Sequence, residues 1–427
     1  MLSKDILLNA AERFGTPLYV YDEVQIKFQY ASLKQAFRRS DVKIFYACKA
    51  LTNVNILKIL EQQGAGIDCV SINEVQLALK AGFTADRIIF TPNSVAFDEY
   101  LEATALHVNI NIDNLSLLEE FGHHFGDAYP VIIRLNPHIM AGGNIKISTG
   151  HVDSKFGISI EQVQEIRDVV ERTKVSVKGL HIHTGSEIKD LEVFVKGLEL
   201  VLETTQYFPD LTIIDLGGGF KVPYKPDEVG TDMEALGEKL ADAFEAFQQS
   251  TGKKFQVWFE PGKFLVSQAG YFLVRANIIK QGPSRTFVGV NSGFNHLIRP
   301  MFYDAYHKIT NISHPEGGLK TYNIVGNICE TDTFAWDREL NEVRPNDIIL
   351  FNNAGAYGFE MSSRFNSRCR PAEVLVSGGS MKLIRRRENL EDILEGVVLD
   401  QFPTCSCTLA LEITGSGDAL FSKSSIK

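Results

Sequence analysis

Short apolar runs alternate with amphipathic stretches of helix length from residue 43 to residue 262. This is the pattern of repeated strand–helix units around a parallel sheet. Eight runs can be counted, and eight parallel strands close a barrel. The runs are KIFYAC (43–48), GIDCVS (66–71), RIIFTPN (87–93), HVNINID (107–113), PVIIRLN (130–136), VKGLHIHTG (177–185), LTIIDLGGG (211–219) and FQVWFEPG (255–262). The sequence therefore predicts an α/β protein with a (β/α)8 barrel of the TIM type.

The rest of the chain departs from this repeat. After residue 262 the helical pattern fades, and runs such as GYFLVRANIIKQ and DIILFNNAG predict strands of a separate sandwich-like or barrel-like β domain. The early run TPLYVYD (16–22) precedes the barrel, so it is a candidate to pair with that domain. The predicted domains are the barrel at 26–264, the β domain at 1–25 plus 265–395, and a poorly ordered tail at 396–427, where Ser, Gly and Thr are frequent. A polar insertion at 137–159 between the fifth strand and its helix is long enough to be functional.

Composition and charge exclude several classes of protein. No run approaches the roughly 20 apolar residues of a membrane span, and the N-terminus shows no secretory signal, so we expect a cytoplasmic protein without a membrane partner. The net charge of -10 disfavours nonspecific binding to nucleic acid. Six cysteines are too few for a disulfide scaffold, and their spacing does not favour a metal site, so we expect no metal.

Candidate chemistry lies at the carboxyl ends of the predicted strands, where catalytic groups of such barrels are found. Lys49 directly follows the first strand, so its side chain is expected at the barrel mouth. There desolvation and neighbouring cations can lower the pKa of the amine enough for it to attack an aldehyde and form a Schiff base. An ordinary strand-end lysine is the alternative. Asp68, Arg134, His181 and His183 are further polar groups at strand ends.

The end of the seventh strand carries three successive glycines, Gly217, Gly218 and Gly219. Their unobstructed backbone N–H groups can cradle a phosphate, although a plain glycine turn is the alternative. Glu260 at the end of the eighth strand can pair with a protonated pyridine nitrogen, and the His183 imidazole can stack on such a ring. The common location of these groups is a stronger signal than any one of them.

Taken together, several motifs resemble those of the alanine-racemase-type barrel decarboxylases that use pyridoxal phosphate. Within that group the closest likeness is to the diaminopimelate decarboxylases, and it covers roughly residues 10–395. The motifs, which occur in this order, are YACKA (46–50), ISTGHVDSKFGI (147–158), HIHTGS (181–186), DLGGGF (215–220), EPGK (260–263), LIRPMFYDAYH (297–307), CETD (329–332) and NAGAYGFEMSSRFNSRCRPAEVLV (353–376).

The resemblance implies a role for each matched residue. Lys49 would hold pyridoxal 5'-phosphate covalently, and Cys329 would donate a proton, as a thiol that is largely protonated at neutral pH can. As a lone cysteine, Cys329 would more often be an apolar filler. His183 would be both a catalytic residue and a cofactor contact. Further cofactor contacts would be Ser186, Gly217, Gly218, Gly219, Glu260, Pro261, Gly262, Lys263 and Tyr357. Contacts to an amino-acid substrate would be Lys263, Arg299, Tyr303, Glu330 and Tyr357.

The implied reaction converts meso-2,6-diaminopimelate to L-lysine and CO2, the last step of lysine biosynthesis. The implied assembly is a homodimer with shared sites, in which Lys49, His183 and Glu260 come from one chain and Cys329 and Glu330 from the other. Alternatives are a polyamine-type decarboxylase acting on ornithine, arginine or carboxynorspermidine, and a noncatalytic regulatory relative. Two departures from the family pattern stand out: Lys263 replaces an arginine, and the segment after Cys329 is one residue shorter, so Asp332 is assigned no role.

Overall fold

The computed structural model describes residues 2–141 and 150–398. Its helices are α1 (Lys4–Phe14), α2 (Glu23–Ala36), α3 (Val54–Gln62), α4 (Ile72–Ala81), α5 (Phe97–Ala105), α6 (Leu115–Phe125), α7 (Val163–Thr173), α8 (Leu191–Thr204), α9 (Met233–Thr251), α10 (Lys263–Val266), α11 (Arg299–Tyr303) and α12 (Leu390–Leu394). Its strands are β1 (Leu18–Asp22), β2 (Val42–Ala47), β3 (Gly66–Cys69), β4 (Ile88–Phe90), β5 (Asn109–Ile112), β6 (Val131–Asn136), β7 (Ile158–Ser159), β8 (Val177–Ile182), β9 (Ile213–Asp215), β10 (Gln256–Phe259), β11 (Gly270–Gln281), β12 (Thr286–Val290), β13 (Ile309–Asn311), β14 (Leu319–Val325), β15 (Thr333–Asn341), β16 (Ile348–Phe351), β17 (Ala372–Ser377) and β18 (Ser380–Arg385).

Eight parallel strands form a closed barrel. Their order is β5-β4-β3-β2-β10-β9-β8-β6, and a pairing between β5 and β6 closes the ring, while the two-residue β7 adds to the edge of β6. Each strand coincides with one of the eight predicted apolar runs, so the predicted barrel is confirmed. Large side chains fill the inside of the ring, as in other barrels of this size. They are Phe45, Ile89, Ile132, Ile213 and Trp258.

The helices around the barrel begin and end where the sequence supplies caps. Helix α4 begins after Ser71, whose hydroxyl accepts the Glu74 N–H, and it ends at Gly82, whose φ of 105° is strained for residues with a side chain. Its buried face carries Val75 and Ala78, which pack into the layer between helices and strands. This repeated packing holds the carboxyl ends of the strands in fixed positions around one mouth.

The second domain is built on a nine-stranded sheet with the path β15-β14-β12-β11-β1-β17-β18, to which β13 and β16 add. The early strand β1 belongs here, because it pairs antiparallel with β11 and parallel with β17. The predicted pairing of the N-terminal run with the β domain is therefore confirmed. The sheet thus combines residues 18–22, which precede the barrel, with strands that follow it, and it lies beside the barrel.

The predicted domain limits, 25/26 and 264/265, fall inside α2 and α10, and they remain predictions. Part of the insertion at 137–159, residues 142–149, lies outside the described residues, as does the tail from residue 399 onward. Among the described residues, no helix is both long and apolar enough to cross a membrane.

Candidate active site

A cavity of about 700 Å³ lies at the carboxyl ends of the barrel strands. The barrel and the β domain both contribute to its wall. Most of the predicted site residues lie there, namely Lys49, His183, Ser186, Gly219, Glu260, Pro261, Gly262, Lys263, Arg299, Tyr303 and Tyr357. The structure therefore brings together residues that are up to 308 positions apart in the sequence, from Lys49 to Tyr357.

Lys49 lies in a short helical turn directly after β2, and its Nζ is 2.9 Å from Oδ2 of the buried Asp68. The expected lowering of its pKa by neighbouring cations is wrong. Partial desolvation of this side chain, which is 43% exposed, would by itself lower its pKa, but Asp68, Tyr357 and Glu260 together raise the pKa of Lys49 above its ordinary value. Burial raises the pKa of Asp68 as well, so this carboxylate is a better proton acceptor than an exposed one. The ligand-free amine is therefore an ammonium with a proton acceptor beside it.

Glu260 follows β10 and is buried, and its Oε2 lies 3.3 Å from Nε2 of His181. On the far side of that ring, Asn111 Nδ2 lies 2.6 Å from Nδ1 of His181, whereas Nε2 approaches Glu260 without forming a hydrogen bond. Burial opposes ionisation, but the charges of His181 and Lys49 hold the pKa of Glu260 below its usual range. Glu260 Oε1 is buried without a hydrogen-bond partner among the described residues. Such an oxygen can accept a hydrogen bond from the neighbouring Asp215, whose pKa burial raises, or from a ligand.

His183 presents a neutral ring to the cavity. Its Nδ1 accepts the Gly218 N–H at 3.1 Å, so Nε2 carries the proton. Burial and the charge of Arg134 lower the pKa of His183 to about 3. An uncharged aromatic face of this kind suits stacking on a planar ring, as the sequence indicated.

The glycine turn after β9 is tightly packed. A Cβ on Gly217 would lie 2.5 Å from His183 Nδ1, and one on Gly219 would lie 2.2 Å from the Gly185 carbonyl oxygen. Both glycines have positive φ, 65° and 94°. The protein itself uses the N–H groups of Gly217, which donates to Asp215 Oδ1, and of Gly218, which donates to His183. In this turn Gly219 lines the cavity, together with Gly185 and Ser186 from the loop after β8.

Tyr357 belongs to the β domain, yet its backbone N–H donates to the Ala50 carbonyl oxygen at 2.9 Å, next to Lys49. Its φ of 55° is unusual for a residue with a large side chain. Strained backbone of this kind is concentrated at functional sites. The contact joins the two domains at the cavity and fixes the position of the Tyr357 ring.

Arg299 and Lys263 are two of the cations that line the cavity, and each contacts a residue that the sequence analysis did not single out. Arg299 Nη1 donates to the Tyr224 hydroxyl at 2.7 Å, and Lys263 Nζ forms an ion pair with Glu187 Oε1. Tyr224 carried no sequence signal. Glu187 directly follows Ser186 in a recognised motif, and its charge could have been matched to the unusual Lys263. The side chains of Lys263 and Glu187 are only 11% and 21% exposed, which leaves the pair poorly screened.

Cys329 and Glu330 are exposed and do not belong to the cavity lining. They lie on a turn between β14 and β15 that Asp332 organises. The Asp332 carboxylate accepts N–H groups from Phe294 at 2.7 Å and from Ile328 at 3.0 Å. Asp332, which the sequence left without a role, therefore shapes the loop that presents Cys329.

The residues around the cavity fit pyridoxal phosphate. A lysine amine is available for its aldehyde, the orphaned Glu260 Oε1 for its ring nitrogen, and the neutral His183 for its ring face. Gly219, after β9, and Ser186, after β8, lie on two adjacent loops that line the cavity, where they would surround its phosphate. Of the groups named here, Glu260 Oε1 is a buried polar atom without a hydrogen-bond partner among the described residues, and the ring nitrogen of this cofactor would supply one.

Comparisons with known proteins agree with this arrangement. The family described as "Pyridoxal-dependent decarboxylase, pyridoxal binding domain" matches residues 23–267. A diaminopimelate decarboxylase of Methanothermobacter thermautotrophicus is 39% identical over 396 residues, which are 90% of this chain and 92% of that protein. The Aquifex aeolicus diaminopimelate decarboxylase is 36% identical over 91% of this chain and 93% of its own length. A crystal structure of the Helicobacter pylori enzyme complexed with L-lysine superimposes with a TM-score of 0.85 at 31% identity, covering 91% of this chain and 98% of that one. The chain therefore belongs to the diaminopimelate decarboxylase family of pyridoxal-dependent decarboxylases.

Proposed function

We propose that the protein decarboxylates meso-2,6-diaminopimelate to L-lysine and CO2. The observation that carries this proposal is a single cavity with the Lys49–Asp68 pair in one part and the cations Arg299 and Lys263 in another. The substrate has an amino-acid group at each end, so a site that processes one end needs charged groups for the other. Relatives named for this reaction match the chain over nearly its whole length. As an enzyme of amino-acid biosynthesis, it is proposed to work in the cytoplasm.

Pyridoxal 5'-phosphate is the proposed cofactor. Lys49 would hold its aldehyde carbon, Glu260 its ring nitrogen, and His183 its ring face. Ser186, Gly219 and Gly262 would surround its phosphate together with Gly217, Gly218 and Pro261, which shape the same turns, and Tyr357 would contact it from the β domain. When bound, the cofactor supplies a conjugated system that accepts the electron pair released as CO2 leaves.

The ion pair between Lys49 and Asp68 controls the reactivity of the amine. An ammonium is not a nucleophile, so Lys49 Nζ must lose a proton before it can bond to a carbonyl carbon. Asp68 Oδ2 holds Nζ at 2.9 Å and raises the pKa of Lys49, so this ion pair must be broken before the amine can react. Glu260 remains ionised, so its negative charge favours a positively charged hydrogen-bond donor next to Oε1.

Charged side chains would bind the distal end of the substrate, a cation its carboxylate and an anion its ammonium. Arg299 offers a cation that Tyr224 already orients, and a carboxylate would replace none of the hydrogen bonds within that pair. Charge-assisted bonds between guanidinium and carboxylate are among the strongest in proteins. Lys263 and Tyr303 line the same part of the cavity. Glu330 is the proposed partner of the distal ammonium.

We also propose a homodimer in which each site is shared. Cys329 and Glu330 lie outside the cavity formed by their own chain, so a second copy is needed to bring these groups to Lys49. A two-fold axis would make two equal sites. In this arrangement Cys329 would deliver a proton to the carbon atom that has lost CO2, while Lys49 releases the product.

The proposal is tested by measuring CO2 release from a panel of amino acids with the purified holoenzyme. We expect strong preference for meso-diaminopimelate over ornithine, arginine and carboxynorspermidine, because a simple diamine precursor leaves Arg299 without a carboxylate to bind. Preference for one of those compounds would instead support the polyamine-type alternative. No CO2 release from any compound of the panel, together with no absorbance from bound cofactor, would support a noncatalytic role.

A further inference from the structure

Asn366 holds the thiol of Cys329 from a second segment of the β domain. The Cys329 backbone N–H donates to Asn366 Oδ1 at 3.1 Å, and Asn366 Nδ2 donates to Cys329 Sγ at 3.3 Å. The first bond fixes the orientation of the amide, because only its oxygen can accept an N–H. The NH2 group must therefore face the sulfur.

The backbone around Asn366 is arranged for this contact. Asn366 and Ser367 have φ values of 59° and 54°, in the left-handed region that asparagine tolerates better than most residues. A third bond joins the same two segments, since Arg368 Nη2 donates to the Asn327 carbonyl oxygen at 2.9 Å. Asp332 braces the Cys329 segment from its other side. The exposed turn of Cys329 is therefore held by polar contacts from Asn366, Arg368 and Asp332, and the segment of Asn366 contains two residues with strained backbone. Strain of this kind is concentrated at functional sites.

We propose that Asn366 is a positioning residue that aims the Cys329 thiol and stabilises the thiolate left when it donates its proton. This inference rests on the proposed role of Cys329 as proton donor. Because Nδ2–H occupies one acceptor site of the sulfur, the S–H bond points away from Asn366. On donation, the S–H bond breaks, a C–H bond forms at the carbon that lost CO2, and the electron pair of the S–H bond stays on sulfur. The thiolate faces the Asn366 N–H until water returns a proton to it.

Asn366→Asp is the variant that tests the donor to the sulfur most directly. It preserves size, tolerance of the left-handed backbone and the oxygen that accepts the Cys329 N–H, but it puts a carboxylate oxygen where the donor was. Asn366→Gly removes the amide and keeps the backbone freedom. Ser367→Gly is the matched control, because it changes the same strained turn without touching the sulfur.

The first readout is the pH dependence of Cys329 alkylation by iodoacetamide in the holoenzyme, followed by peptide mapping. We expect the pH of half-maximal rate to rise by about one unit or more in Asn366→Asp, by less in Asn366→Gly, and not in Ser367→Gly. Unaltered unfolding temperatures would show that the turn still folds. An unchanged alkylation profile in Asn366→Asp would overturn the contact.

The second readout is steady-state kinetics with meso-diaminopimelate. We expect kcat of Asn366→Asp to fall by about tenfold or more with KM within about twofold, because the distal contacts are untouched. A shifted alkylation profile with unchanged kcat would overturn the positioning role. If Cys329→Ala retained full activity, Cys329 would not be the donor and the inference would fail while the proposed reaction stood. If the wild-type protein released no CO2, the proposed function itself would fail.

Discussion

Arg299 Nη1 donates a hydrogen bond of 2.7 Å to the Tyr224 hydroxyl, and its guanidinium carbon also lies 4.8 Å from the centre of the Tyr224 ring. Tyr224 therefore limits the orientations open to Arg299. His307 packs edge-on against the same tyrosine, with ring centres 5.5 Å apart, and completes a buried support for the cation. A preoriented guanidinium loses less entropy on binding a carboxylate than a free one.

Removing this cation should weaken binding of the distal carboxylate. We expect Arg299→Ala to raise KM for meso-diaminopimelate by about ten- to a hundredfold, the value of one charge-assisted hydrogen bond. Tyr224→Phe keeps the ring but loses the hydroxyl, so KM should rise by about two- to tenfold. Tyr207→Phe, on the outside of the barrel, is the control. Steady-state kinetics and cofactor absorbance check this, and an unchanged KM in Arg299→Ala would mean that the carboxylate is read elsewhere.

The Lys263–Glu187 ion pair predicts a change in the pH dependence of KM. Burial lowers the pKa of Lys263 and Glu187 opposes that effect, so Glu187→Gln should lower this pKa further. Lys263 would then lose its charge at a lower pH, and KM should begin to rise at a lower pH than in the wild type. Lys263→Arg, which stays charged, should remove the rise at alkaline pH. KM profiles that coincide in wild type and Glu187→Gln would show that Lys263 does not bind substrate.

Lys49 should be the residue that carries the cofactor. Borohydride reduction of the holoenzyme should fix the cofactor to one peptide, the peptide containing Lys49, and mass spectrometry of the digest identifies it. Lys49→Ala should be inactive yet folded, because the side chain is 43% exposed and its loss opens no core cavity. A label on a different lysine would refute the assignment.

Subunit exchange should restore activity between two inactive variants. Lys49→Ala and Cys329→Ala chains, mixed and allowed to exchange, should form heterodimers with one intact site each. Random pairing makes half of the dimers mixed, so about a quarter of all sites should work. CO2 release before and after mixing gives the answer, and exchange is verified with differently tagged chains. No recovery despite proven exchange would place the whole site within one chain.

Buried histidines should make the protein less stable in mild acid. Burial lowers the pKa of His296 to about 4 and that of His307 to about 3, whereas an unfolded histidine titrates near 6.5. Below about pH 6.5 the unfolded chain therefore binds more protons than the folded one, and stability falls as the pH drops from there towards 4. Each such histidine contributes up to about 1.4 kcal/mol per pH unit in this window.

His296→Gln should flatten that dependence, because it removes one of these titrating groups. The check is the unfolding temperature from pH 7.5 to 4.5 at constant protein concentration, with His123→Gln, an exposed histidine on α6, as control. Parallel curves for His296→Gln and the wild type would contradict the assignment of the acid sensitivity to this residue.

Hydrophobic periodicity was enough to predict the barrel and most of the groups at its mouth. Periodicity is local information, so the eight apolar runs could be counted, and the ends of the strands could be predicted from where each run stops. Lys49, His183 and Glu260 followed because every parallel strand of a barrel delivers its end to the same mouth. The pairing of β1 with the β domain was open in the sequence as one of two choices, and the register of β1 between β11 and β17 decided it.

Which charged side chains contact each other depends on how distant segments pack, and this could not be predicted from local pattern. The sequence placed Lys49 among cations and gave it a lowered pKa, but the fold puts Asp68 at 2.9 Å and Glu260 nearby, which reverses the direction of the shift. Tyr224 beside Arg299, Glu187 beside Lys263 and Asn366 beside Cys329 are likewise contacts between segments with no shared local pattern. Hydrophobic periodicity records which face of an element is buried. Electrostatic effects depend on distances of a few ångströms between side chains, and those distances are set when separate elements pack together.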